Sequence, residues 1–158
     1  MLDYDAIYDD IEERFKKAYS RDGFSKAYFI KPGHSEEEIV KLEETIGEKL
    51  ADDYRQFIKK YKEVEGDDLY VVYDLKKYAD YIFRIRESRE EINAPIPDNM
   101  YLLGEFDLEC PIYLQDTKGK VYEFRWDYKY SKPKKIANSF IEFMNKQIEF
   151  YNNLPIDE

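Results

Sequence analysis

The segment from Ser35 to Tyr61 constrains this chain more tightly than any other, because it specifies two short helices hinged at a glycine. The Ser35 hydroxyl can accept from the Glu38 amide while the Glu38 carboxylate accepts from the Ser35 amide, a reciprocal start signal. Ile39, Leu42 and Ile46 then share one face, and Gly47 supplies the left-handed conformation that ends a helix at little cost. Leu50 leads into a second stripe, Tyr54, Phe57, Ile58 and Tyr61, again at helical spacing. Lys59, Lys60 and Lys62 complement the carboxyl end of that second helix. These features describe scaffold, not chemistry.

The flanks are read in the same way. Tyr4, Ile7, Tyr8, Ile11, Phe15, Ala18 and Tyr19 form a helical stripe that stops before Arg21-Asp22-Gly23. Ala27 to Ile30 is short and apolar, a strand or a packed loop, before Pro32-Gly33 breaks the chain. Leu69 to Tyr73 reads as a strand, and Asp74 as the cap of a helix carrying Leu75, Tyr78, Ile82, Ile85 and Ile92, stopped by Pro95 and Pro97. Strands are expected at Met100–Phe106, Pro111–Gln115 and Lys120–Trp126, the last two joined by the turn Asp116-Thr117-Lys118-Gly119. A lysine-rich loop, Asp127–Lys135, leads to a final helix, with Ser139 and Glu142 as a second capping box and Phe140, Phe143, Met144, Ile148 and Tyr151 as its stripe.

The expected fold is therefore α+β. An antiparallel sheet of about four to six strands is flanked by N-terminal, middle and C-terminal helices. One domain spans residues 1–158, with 1–34 as a helix-and-loop extension and 35–152 as the core.

Charge narrows the partners. The formal net charge is −10 over 158 residues, which argues against nucleic acid, since phosphate binding is driven by Lys and Arg. It suits a basic protein partner. An aromatic content of 17% separates the chain from disordered sequences. No apolar run approaches the length of a membrane span, and the acidic N-terminus is unlike a signal peptide. Cys110, the single cysteine, suits a reducing cytoplasm and reads as a structural thiol rather than a nucleophile.

His34 is the only histidine and reads as an exposed loop residue. No phosphate loop, CxxC pair or HExxH helix is present. Carboxylate pairs such as Asp9-Asp10, Glu12-Glu13 and Asp52-Asp53 carry little catalytic information in so acidic a chain. The expectation is a protein without catalytic residues, cofactor or metal.

One interval does attract attention. From Glu90 to Thr117 there is no Lys or Arg, and Glu105, Asp107 and Glu109 alternate so that an extended backbone sends all three to one face. Such crowding is relieved by a cationic partner. An acidic turn that keeps a sheet edge soluble accounts for it equally, and a hard-cation site is a third reading. Asp67 and Asp68, with Glu63 and Glu65, extend this surface if the two loops share a sheet end. Tyr is rigid and amphipathic, so Tyr101 and Tyr113, beside the acidic stretch, are candidate contact anchors among the sixteen tyrosines, most of which are expected to pack with their hydroxyls at the surface. The Lys–Tyr interleaving of the 127–135 loop superficially suggests nucleic acid, but four lysines there against a net −10 read better as a solvated loop.

Three blocks resemble the SUKH superfamily of bacterial toxin-immunity proteins and related fungal cell-wall synthesis regulators. The first is Leu42-Glu43, Ile46-Gly47, Leu50-Ala51, Tyr54, Phe57 and Tyr61, with Ala51 where the family usually has Pro. The second runs from Leu102-Leu103-Gly104-Glu105-Phe106 to Val121-Tyr122, and the third is Ile136-Ala137-Asn138-Ser139-Phe140-Ile141-Glu142-Phe143-Met144. The resemblance implies a cytoplasmic immunity protein that occludes a cognate, basic toxin. A non-catalytic regulatory or scaffolding module of the fungal type is the alternative that it also implies.

Overall fold

The computed structural model describes residues 2–66, 69–70, 97–104, 112–125 and 132–156. The predicted helix after Asp74 lies outside them, as does Cys110. Helix α1 spans Tyr4–Tyr19 and buries Tyr8, Ile11, Phe15, Ala18 and Tyr19, the stripe read from its spacing. Helices α2 (Glu36–Ile46) and α3 (Asp52–Lys60) follow. Both halves of the Ser35–Glu38 capping box are present, and Gly47 ends α2 with φ 76°. Helix α4 (Phe140–Asn153) closes the described chain and packs along α1.

The strands form two antiparallel sheets. The smaller sheet orders β1 (Tyr28–Ile30), β2 (Glu63–Gly66) and β3 (Leu69–Tyr70), and the larger β4 (Met100–Gly104), β5 (Ile112–Asp116), β6 (Val121–Phe124) and β7 (Lys134–Ala137). The α+β class and antiparallel pairing stand as expected, divided between two sheets. Strands β2 and β7 were not expected. Lys134 and Lys135 pair with Glu123 and Tyr122 as an edge strand rather than ending a loop. Exposed lysines on that strand discourage edge-to-edge association.

The core runs continuously through both layers. Phe140, fully buried, is its hub: its ring lies 4.8 Å from Phe57, 5.2 Å from Tyr54 and 6.4 Å from Tyr8. Aromatic edges meeting faces at such distances add to the area they bury.

His34 corrects the sequence reading. It is buried, its backbone N–H donates to Ile58 O at 2.8 Å, and its Nε2 lies 3.0 Å from Lys62 O. Those are late carbonyls of α3 and its exit, which a helix leaves unpaired. Gly33 explains the close approach: a Cβ there would stand 2.1 Å from Lys59 O. The 31–34 segment is thus a clasp over the end of α3. Among the described residues, no helix is long and apolar enough to cross a membrane.

Candidate functional site

Of the residues singled out by sequence, Asp67, Asp68, Glu105, Asp107 and Glu109 lie outside the described residues. Tyr101 and Tyr113 lie within, and neither is a simple surface anchor. Tyr101 is fully buried. It stands opposite Gln115 in the β4–β5 register, and its hydroxyl donates to Gln115 Oε1 at 2.5 Å while accepting from the Ala51 N–H at 2.8 Å. A partner does not reach it in this fold. Tyr113 is half-buried, its ring 5.0 Å from Phe143. Three further tyrosine hydroxyls turn inward among the described residues: Tyr8 donates to Asp53 O at 2.5 Å, Tyr61 to Tyr8 O at 3.1 Å and Tyr54 to Leu103 O at 3.3 Å. Buried phenols meet such carbonyls because an unpaired hydroxyl costs more than the bond returns. Burial drives the Tyr8, Tyr61 and Tyr101 hydroxyls far above the ordinary tyrosine value, so they act as fixed donors.

Asp53 is the residue that sequence reasoning passed over. Only 8% exposed, its carboxylate accepts from the Tyr54 N–H at 2.7 Å, Gln115 Nε2 at 3.1 Å and the Phe140 N–H at 2.6 Å. It therefore sits as an internal anion at the amino end of α4, where the helix leaves donors free. Burial raises its pKa, and the hydrogen bonds from Phe140, Gln115 and Tyr54 oppose that rise. Gln115 completes the link by donating to Gly119 O at 3.0 Å. The turn is shaped by Asp116, whose Oδ1 accepts from the Lys118 and Lys120 amides and whose Oδ2 accepts from the Tyr122 hydroxyl.

A second polar knot joins α2 to α3. Buried Glu43 accepts from the Leu50 N–H at 2.9 Å and meets Arg55 at 3.4 Å. Arg55 and Lys59 also hold Glu36, whose pKa falls to about 2 through their hydrogen bonds. At the start of α4 the second capping box is re-routed. Ser139 accepts from the Glu142 N–H, but Glu142 accepts from Asn138 rather than Ser139.

Asp53 and Gly119 of the first knot line an open cleft of about 560 Å³. Tyr4 and Ile7 of α1, Ala51 and Asp52 at the start of α3, Lys118 of the β5–β6 turn and Ser139 before α4 line it. Ala51 caps α3 without a side-chain bond. The chemistry on offer is binding. Asp53 is saturated with donors, and among the described residues no three His, Cys, Asp or Glu side chains gather as a metal ion would need.

The sequence matches the model of the SMI1/KNR4 family (SUKH-1) over residues 33–146. No curated protein matches it. The matched stretch contains Glu43, Asp53, Gln115 and Ser139. Residues 2–32 lie outside it, yet α1 supplies Tyr8, Ile11 and Phe15 to the common core.

Proposed function

The chain belongs to the SMI1/KNR4 family (SUKH-1), and from that premise we propose that it is an immunity protein which binds a cognate bacterial polymorphic toxin and blocks it by occlusion. It acts in the cytoplasm, without catalysis or cofactor, on a basic toxin, a nuclease being the first chemistry to try. Family membership is the observation that carries the reading. A net charge of −10 supports the choice of a basic partner, because opposite charge steers encounter and suppresses wrong partners.

The acidic residues Asp67, Asp68, Glu105, Asp107 and Glu109 are the proposed contact surface, and half-buried Tyr113 a proposed anchor. Tyr101 contributes from inside, by holding β4 to β5 and to the start of α3. A nanomolar complex, about −12 kcal/mol, lies within reach of a standard interface with a few good anchors.

The test is co-purification with the protein encoded immediately upstream, followed by rescue of cells expressing it. Immunity requires both a complex and survival. No complex with that product would favour the regulatory-module alternative. Changing Glu105, Asp107 and Glu109 together to Ser should slow association at low salt, and unchanged binding would remove the acidic stretch from the interface.

A further inference from the structure

We propose that the cleft between the amino ends of α3 and α4 receives a lysine or arginine side chain from the protein partner. The source of that side chain rests on the protein-binding reading above; the chemistry of the cleft does not.

Charge accounting comes first. Several carboxylates elsewhere on α1 and α2 already have a cation. Asp5 and Asp9 meet Lys60, Asp10 meets Arg14, Glu12 meets Lys16 and Lys31, and Glu36 meets Arg55 and Lys59. Asp52 is exposed on the cleft wall and makes no ion pair with any described residue. Asp53 lies beneath it, its oxygens taken by N–H donors but its charge still present. Lys118 is the single cation among the lining residues, so one positive side chain faces two carboxylates. The Tyr4 hydroxyl registers the imbalance: its pKa is raised by burial, then by Asp53 and by Asp52.

An anion is a poor occupant. The donors at the start of α4 are already occupied by Asp53, and Asp52 places its own charge in the first turn of α3. An incoming carboxylate or phosphate would meet both. A bare metal ion fits no better, since most of the wall is carbon. The apolar wall selects a cation that carries hydrocarbon. Ile7, Leu50 and Ile141 offer surface for an aliphatic stem, and Tyr4 offers a ring beside which a charged head gains further attraction. Lysine and arginine side chains combine those two parts. At about 560 Å³ the cleft also has room for the backbone turn that presents one.

The probe is N-acetyl-arginine amide, titrated into the ¹⁵N-labelled full chain beside its neutral isostere N-acetyl-citrulline amide. The arginine compound should saturate in the millimolar range, with shifts at the amides of Tyr4, Asp52, Asn138 and Ser139, and the citrulline compound should not. Asp52→Asn should weaken the arginine compound about three- to fivefold, as for a partly exposed ion pair, and Asp52→Lys should abolish saturation. Equal response to citrulline, or unsaturable shifts spread along α1, overturns the proposal.

A second variant addresses the partner. Thr117→Arg occupies the cleft mouth from an exposed turn and should weaken the cognate complex at least tenfold without changing Tm. Normal complex formation by that variant also overturns the proposal while leaving the immunity reading intact. If no cognate toxin exists, the immunity reading fails alone, because the arginine titration still reads the cleft.

Discussion

Asp53 draws donors from its own helix, from β5 and from the start of α4 onto one buried carboxylate, and its removal is the sharpest residue-level test of the fold. Asp53→Ala removes the acceptor that the Tyr54 and Phe140 amides share, and leaves Gln115 Nε2 with Gly119 O alone. The expected cost is about 3 kcal/mol, read from urea unfolding. Asp53→Asn should cost nearly as much, because its amide group points a donor at donors. A loss below about 0.5 kcal/mol would show that the carboxylate is not holding the two helices. Its raised pKa means that the native state binds this proton more tightly than the unfolded chain. The contribution of Asp53 to stability is thus greatest below the unfolded pKa and declines as pH rises through the folded value. Gly33 gives a steric counterpart: Gly33→Ala sets a methyl carbon 2.1 Å from Lys59 O, and the 31–34 clasp must open. A loss of at least about 2 kcal/mol is expected, with Tm as the readout. Neither role was legible in sequence. Asp52-Asp53 looks like any acidic first turn, and the partners that distinguish Asp53 lie 62 and 87 residues away.

Among the elements, α2 was fully legible and β2 and β7 were not, for one physical reason. The start, stripe and stop of α2 lie within thirteen residues, Ser35 to Gly47, so local sequence determines them. Strands β2 and β7 have four residues each and exist because β1 and β6 offer partners. Four residues carry too little periodicity to announce that. Helices α2 and α3 also make a prediction together. Arg55 and Lys59 depress the Glu36 pKa to about 2 from an ordinary value near 4.5. A lowered carboxylate pKa contributes stability above the unfolded value, and that contribution is lost as pH falls through the folded one. Tm measured from pH 7 down to about 2 should therefore show wild type above Glu36→Gln at neutral pH, the gap closing between about pH 4.5 and 2. Exposure of Glu36 keeps the gap small, and about 0.5 M NaCl should narrow it further. A gap that widens on acidification would mean that the Arg55–Glu36–Lys59 arrangement does not persist in solution.

Over the whole molecule, the distribution of charge matters more than any single pair. Thirty-five carboxylate residues face twenty-five Lys and Arg, and most of the described ion pairs gather on α1, α2 and α3. Pairing there leaves Asp52 at the cleft as local excess, beside the overall −10. The sum was legible from composition alone, whereas the place of the excess depends on which lysines the fold brings to which helices. Long-range attraction of this kind acts before contact, so it belongs to the association rate. Complex formation with the cognate toxin, followed by stopped-flow fluorescence of Trp126, should slow at least tenfold between about 20 mM and 0.5 M NaCl. The dissociation rate should change much less, because contacts already formed are poorly screened. Asp52→Asn should lower the association rate slightly and raise the dissociation rate more, since a side chain seated in the cleft is held after encounter. Salt-independent association would mean that the net charge serves solubility and does not select the partner.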